Sequence, residues 1–136
     1  MKRNNLHRFH RLILFVLMAA LALCFVSCGG NEKATGEAVT FTLTVVGPDG
    51  TATDQEITSD AANLGDALLA EGIVEGENGD YGLYLTTVNG ITADFNTDGA
   101  YWSLYIGDEY AMTGVSDTPI AEGDMFKLVY EVYTAE

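Results

Sequence analysis

Downstream of Cys28 the chain contains no cysteine, no histidine and only two basic residues, Lys33 and Lys127. His7, His10 and the other cysteine, Cys24, all lie before it. These absences exclude much chemistry. Without further thiols, the rest of the chain has no internal disulfide. Zinc sites built from His and Cys are ruled out, as are Ser-His-Asp and Cys-His nucleophilic centres. No Gly-rich phosphate loop is present. All 20 acids follow Cys28, and against two lysines they give that segment a net charge of −18. Such a charge disfavours nucleic acid and anionic membrane surfaces as partners and suits cationic ligands or divalent metal. It also keeps an exported domain soluble with no ligand at all.

The amino-terminal segment is the opposite in character. Residues 1–11 hold Lys2, Arg3, Arg8 and Arg11 and no acid, and Leu12–Val26 is then a run of 15 apolar residues. A membrane-spanning helix needs about 20. A basic start followed by a short apolar run is instead the pattern of an export signal. The run ends in Phe25-Val26-Ser27-Cys28-Gly29-Gly30. This resembles the bacterial lipobox, in which small residues precede a cysteine that is lipidated and becomes the new N-terminus. Phe25 departs from the usual Leu. Cys24 is a rival site, but the bulky Leu23 precedes it. An ordinary secretory signal and a retained anchor are the alternatives. On the lipobox reading, residues 1–27 are a lipoprotein signal peptide and Cys28 is the lipidated residue. Residues 28–38 are then a flexible tether, and residues 39–134 a domain held outside the cytoplasm at the cell membrane. A diacylglycerol, at about 0.8 kcal/mol per buried CH₂, makes that attachment durable.

The pattern within 39–134 is mostly β. Val39–Val45 alternates apolar residues with threonine, the signature of a half-buried strand, and Gly47-Pro48-Asp49-Gly50 turns it towards a second strand over Thr51–Ile57. Asn63–Gly72 is the one helix, with Asn63 as cap and Gly72 as stop. Glu75–Asp80 reads as a polar loop. Further strands are expected over Gly82–Val88, ending in the Asn89-Gly90 hairpin signal, then over Tyr101–Ile106, Glu109–Met112 and Met125–Val132. The expected fold class is α+β: one mostly antiparallel twisted sheet with a single short helix packed on it, in the β-grasp manner.

The sequence Gly99-Ala100-Tyr101-Trp102-Ser103-Leu104-Tyr105 is followed by Gly107-Asp108-Glu109-Tyr110-Ala111, Gly114-Val115-Ser116-Asp117 and Gly123-Asp124. As a set these resemble the C-terminal domain of transcobalamin and intrinsic factor, and a related bacterial domain family of unknown function. The resemblance covers about Val39 to Val132. It implies a binding domain. In the vertebrate carriers this domain closes over cobalamin against a large helical domain, which this sequence does not contain. The bacterial relatives supply no common ligand.

Tyr101, Tyr105, Tyr110 and Trp102 are the candidate ligand-binding residues, because Tyr and Trp combine apolar area with a polar handle. Strand alternation places Trp102, Leu104 and Ile106 in the core and Tyr101 and Tyr105 on an outer aromatic platform. The plain alternative is tyrosine covering a sheet face. Asp94, Asn96 and Asp98 open like an EF-hand loop, but the twelfth position is Tyr105 rather than a bidentate Glu. A simpler calcium loop and a polar turn remain the two readings of that segment. A catalytic pair of carboxylates is not singled out by anything among the acids, so no enzyme activity is expected. Two functions stay open. One is a lipoprotein binding cobalamin, another corrinoid or a similar small ligand. The other is a cell-surface interaction or adhesion module that engages another envelope protein.

Overall fold

Eight strands, two short helices and one 3₁₀ turn build residues 36–135, the part of the chain that the computed structural model describes. The expected signal peptide (1–27), the expected lipidation site Cys28 and the expected tether as far as residue 35 lie outside the described residues. The chain divides into units 1–33 and 34–136, and the fold below is that of the second.

Strands β1 (Val39–Val46) and β2 (Ala52–Ser59) form the expected antiparallel hairpin. Phe41, Leu43 and Val45 are buried, while the intervening threonines are only partly buried. Thr40 and Thr58 share a hydroxyl bond at 2.8 Å, and Thr44 donates to Asp54 at 2.6 Å. Asp49 ties the turn by accepting from the N–H and hydroxyl of Thr51.

Helix α1 (Leu64–Ala70) starts at Asn63, whose side-chain oxygen accepts from the Asp66 N–H at 2.9 Å while its amide donates to the Asp66 carboxylate at 2.8 Å. Leu64, Ala67 and Leu68 are wholly buried. Beyond the C-cap at Glu71, Gly72 adopts φ +66°, which glycine tolerates at little cost. So short a helix depends on its cap, and Asn63→Ala is expected to destabilise the domain by about 1 kcal/mol, read from the urea midpoint.

The strands form two sheets rather than the expected one. The larger is ordered β2-β1-β8-β6-β7, with β6 (Ala100–Ile106), β7 (Glu109–Tyr110) and β8 (Met125–Val132). Its first and last strands in sequence, β1 and β8, lie side by side and parallel, and the other pairs are antiparallel. The smaller sheet is antiparallel, β3 (Val74–Gly79), β4 (Gly82–Val88) and β5 (Ile91–Thr92). Residues 75–80, expected as a loop, are therefore largely strand. As an edge strand, β3 buries only Val74 and so needs no apolar alternation. Asn89 and Gly90 both take positive φ in the next turn, as a tight hairpin requires. Two further pieces of helix accompany α1: the single turn α2 (Phe95–Asp98) and the 3₁₀ turn Val115–Asp117.

One buried cluster draws on both sheets and α1. Phe41 and Phe126 meet edge to face at 5.5 Å, and Trp102 meets Tyr130 likewise at 5.4 Å. Ile106, expected in this core, is 45% exposed because it closes β6 beside the Gly107-Asp108 turn. The expected strand to Met112 pairs only over Glu109–Tyr110, and Met112 is exposed. Among the described residues, no helix is long and apolar enough to cross a membrane.

Candidate functional site

Strand β6 sends its side chains to two different surfaces. Tyr101 and Tyr105 point one way, Trp102 and Leu104 the other.

On the first surface lies Glu131 of β8, opposite Tyr101 in the ladder. Both tyrosine hydroxyls donate to its carboxylate, Tyr101 to Oε2 at 2.8 Å and Tyr105 to Oε1 at 2.9 Å. Lys127 lies over the Tyr105 ring at 5.9 Å and pairs at 3.4 Å with the fully exposed Asp108, a contact of small energetic weight. The two tyrosines are half-buried, with their polar handles committed, so the surface is a bonded cluster and not an open platform.

The cluster leaves a titration signature. The hydrogen bond to Glu131, followed by burial and the carboxylate charge, raises the Tyr101 pKa from 10.0 to about 12, and Tyr105 is raised for the same reasons. Burial pulls the Glu131 carboxyl up, but the hydrogen bonds from Tyr101, Tyr105 and Ser103 outweigh it and hold the group below its ordinary range. The folded state thus holds the Tyr101 proton more tightly than the unfolded chain does. That stabilisation is complete below pH 10.0 and is lost as pH rises towards about 12. The Glu131 contribution is present above the ordinary carboxylate range and fades as pH falls through the lowered value. In an alkaline absorbance titration, one tyrosine is expected to ionise near pH 12 and to move back towards 10.0 in Glu131→Gln. An unchanged titration curve in that variant would disprove the coupling.

On the other surface lies an open cleft of about 350 Å³. Three segments that are distant in sequence line it: the β3–β4 hairpin from Gly79 to Leu85, β6 from Trp102 to Leu104, and the stretch from Tyr110 to Val115. Leu83, Leu85, Trp102, Leu104 and Val115 are buried and give it an apolar floor. Tyr81, at 95% exposure, together with the half-exposed Tyr84 and Tyr110, gives it an aromatic rim. Asp80 is the one charged residue of the lining. The walls are fixed locally. The Ser116 hydroxyl accepts from the Leu83 N–H at 2.9 Å and binds the 3₁₀ turn to β4. Gly82, at φ +91°, lies so close to Ser116 that an added Cβ would sit 2.9 Å from its Cβ. Trp102 is 8% exposed, and its indole N–H is buried with no hydrogen-bond partner among the described residues.

Of the sequence candidates, Trp102 and Tyr110 line the cleft and Tyr101 and Tyr105 do not. Tyr110 also packs edge to face on Tyr105 at 5.5 Å, so it stands where the two surfaces meet. Sequence reasoning passed over Tyr81 and Tyr84 as site residues. The available signal was Gly79-Asp80-Tyr81-Gly82, an aromatic residue at a two-residue hairpin tip. Asp94 caps α2. One of its oxygens accepts from the N–H groups of Asn96 and Thr97, the other from the Thr97 hydroxyl, and these bonds lower its pKa. Gly99 ends the turn at φ +65°. Among the described residues, no group of three or more His, Cys, Asp and Glu side chains is gathered to hold one metal ion.

Residues 61–131 match a family model described as "Domain of unknown function (DUF4430)", a span that includes every residue of the cleft. No curated protein matches the chain. Among solved structures, the chain is similar to one described as a "putative metal binding protein" from Ruminococcus gnavus ATCC 29149. That protein shares 36% identity over 71% of this chain and 99% of its own, at a TM-score of 0.67. The chain also resembles haptocorrin in complex with Cbi, at 17% identity and a TM-score of 0.59, over 82% of this chain and 29% of haptocorrin. That second likeness is one of fold.

Proposed function

The chain belongs to the DUF4430 family, and on that footing we propose that it is a small non-catalytic binding domain whose ligand seats in the Trp102 cleft. The domain is exported and held at the cell membrane by lipid on Cys28. The observation that carries this reading is the cleft itself, with an apolar floor under a rim of exposed tyrosines. Exposed aromatics around a concave apolar surface are what ligand sites use, and the volume falls at the small end of the range of about 300–1,000 Å³ typical of such pockets. The one large titration shift among the described residues belongs to Tyr101, which lies on the other surface of β6 and outside the cleft. The strand order of the larger sheet, with parallel β1 and β8 at its centre, supports a β-grasp reading. Haptocorrin's likeness in fold supplies a first probe, a corrinoid, and the name of the Ruminococcus gnavus protein supplies a second, a metal ion.

Among the described residues every buried core side chain lies between Phe41 and Leu128, and residues 29–136 carry the test. Trp102 is the only tryptophan in the chain. Titration with cobinamide is expected to quench its fluorescence. Tyr84→Ala and Tyr110→Ala should each weaken binding about tenfold, the loss expected on removing a rim aromatic. Absence of any response at about 100 μM corrinoid would overturn the small planar ligand. Calcium, titrated in parallel, separates a metal effect from an organic one.

A further inference from the structure

Within the cleft the β-ladder is incomplete. Gly107 donates its N–H to Met125 at 2.7 Å and Tyr133 donates to the Gly99 carbonyl at 2.8 Å, so the odd-numbered residues of β6 bond towards β8. The even-numbered residues must then point their N–H and C=O groups to the opposite side. There β7 pairs only with Tyr105 and Ile106, and its continuation closes one further bond, from the Ala111 N–H to the Leu104 carbonyl at 2.9 Å. After Ala111 the chain peels away. Among the described residues, the N–H and C=O of Trp102 and the N–H of Leu104 have no hydrogen-bond partner. These groups belong to residues that line the cleft and are themselves almost wholly buried.

Backbone polar groups removed from water are nearly always paired, and an open strand edge is a template for another strand. We propose that the cleft takes an extended, positively charged peptide segment, which adds to β6 as a strand beside Trp102. This rests on the cleft being the binding site and names the class of ligand. A donor, an acceptor and a second donor, alternating along one edge, match the acceptor and donor spacing of a strand's backbone. The open stretch ends at Leu104, where Ala111 takes over, and at the fully buried Ala100, so about three residues of the incoming strand bond directly. Side chains of that strand alternate between the apolar floor and the tyrosine rim. Charge selects the sign. Asp80 at the hairpin tip lines the cleft, Glu77 of β3 stands opposite the rim residue Tyr84, Glu109 of β7 precedes Tyr110, and no basic residue lines the cleft. A second copy of this acidic chain is disfavoured on the same ground.

The test is an NMR titration of ¹⁵N-labelled residues 29–136 with an equimolar set of end-blocked hexapeptides, Val or Ile alternating with Lys or Arg, at about 1 mM in total. The expected result is a shift of the Trp102 and Leu104 amide signals, with their hydrogen exchange slowed at least about tenfold. The same peptides N-methylated at alternate residues should have no effect. Peptides carrying Glu for Lys and Arg should bind at least about tenfold more weakly. Tyr84→Ala, on the exposed rim, should reduce the response without unfolding the domain. Equal effects from N-methylated peptides would overturn strand addition. A response to cobinamide without any to the peptides would overturn the peptide class and leave the cleft as the ligand site. Silence from both would overturn the two readings together.

Discussion

Trp102→Ala is expected to be among the most damaging single substitutions in the domain, destabilising it by about 3–5 kcal/mol, the range for truncating a buried aromatic. The side chain is almost fully buried, meets Tyr130 edge to face and forms part of the cleft floor. Its loss opens a cavity between β6 and β8 and the hairpin that walls the cleft. Trp102→Phe is the informative partner. It keeps an aromatic ring against Tyr130 and removes the buried indole N–H that has no partner. An unsatisfied buried donor costs about 1–3 kcal/mol, which offsets much of the packing lost with the smaller ring. Phe is therefore expected to lie within about 1 kcal/mol of the parent in urea denaturation followed by circular dichroism. Equal damage from Phe and Ala would show that the indole N–H does have a partner, such as a bound water, and that the floor is specific to tryptophan.

This difference between neighbouring residues of β6 was half legible in the sequence. Alternation alone separates Tyr101 and Tyr105 from Trp102 and Leu104, and the structure agrees. Alternation does not say what each surface meets. Glu131 reads as a solvent-facing charge on β8, and its role as acceptor for two tyrosines depends on the β6–β8 register. Ile106 follows the core pattern but sits at a hairpin end, where burial stops. The β1–β2 hairpin, α1 with its cap, and β8 were all readable because each carries a local signal: threonine alternation, an Asn cap and a long apolar face. The cleft carries none. Its lining comes from segments between residues 79 and 115 that meet only in the folded chain. The motifs around Gly99–Asp124 resembled a bacterial domain family of unknown function, and the match over residues 61–131 is to such a family. The likeness to haptocorrin is one of fold alone.

The least legible element yields the second large effect. Strand β3 is Val-Glu-Gly-Glu-Asn-Gly, a composition poor in β-branched and aromatic residues, yet it pairs along most of β4. The pairing depends on Gly76, where the register shifts by a bulge between Glu75 and Gly76. A Cβ built at Gly76 would lie 2.3 Å from the Tyr84 carbonyl oxygen and 3.0 Å from Leu83 Cδ1. The first contact is with backbone, so no side-chain rotation relieves it. Gly76→Ala must push β3 away from β4, at a cost of about 3 kcal/mol, the upper part of the range for overpacking. The damage should also be directional. The hairpin from Gly79 to Leu85 is one wall of the cleft, and Tyr81 and Tyr84 ride on it. Gly76→Ala is therefore expected to weaken the Trp102 fluorescence response to a cleft ligand even under conditions where the domain remains folded. The Tyr101–Glu131–Tyr105 cluster lies on the other surface of β6 and should keep its high-pH tyrosine titration. Loss of both responses at once would mean that the variant unfolds the domain as a whole. Loss of the first alone would show that a bulge at one glycine positions the wall against which the ligand binds.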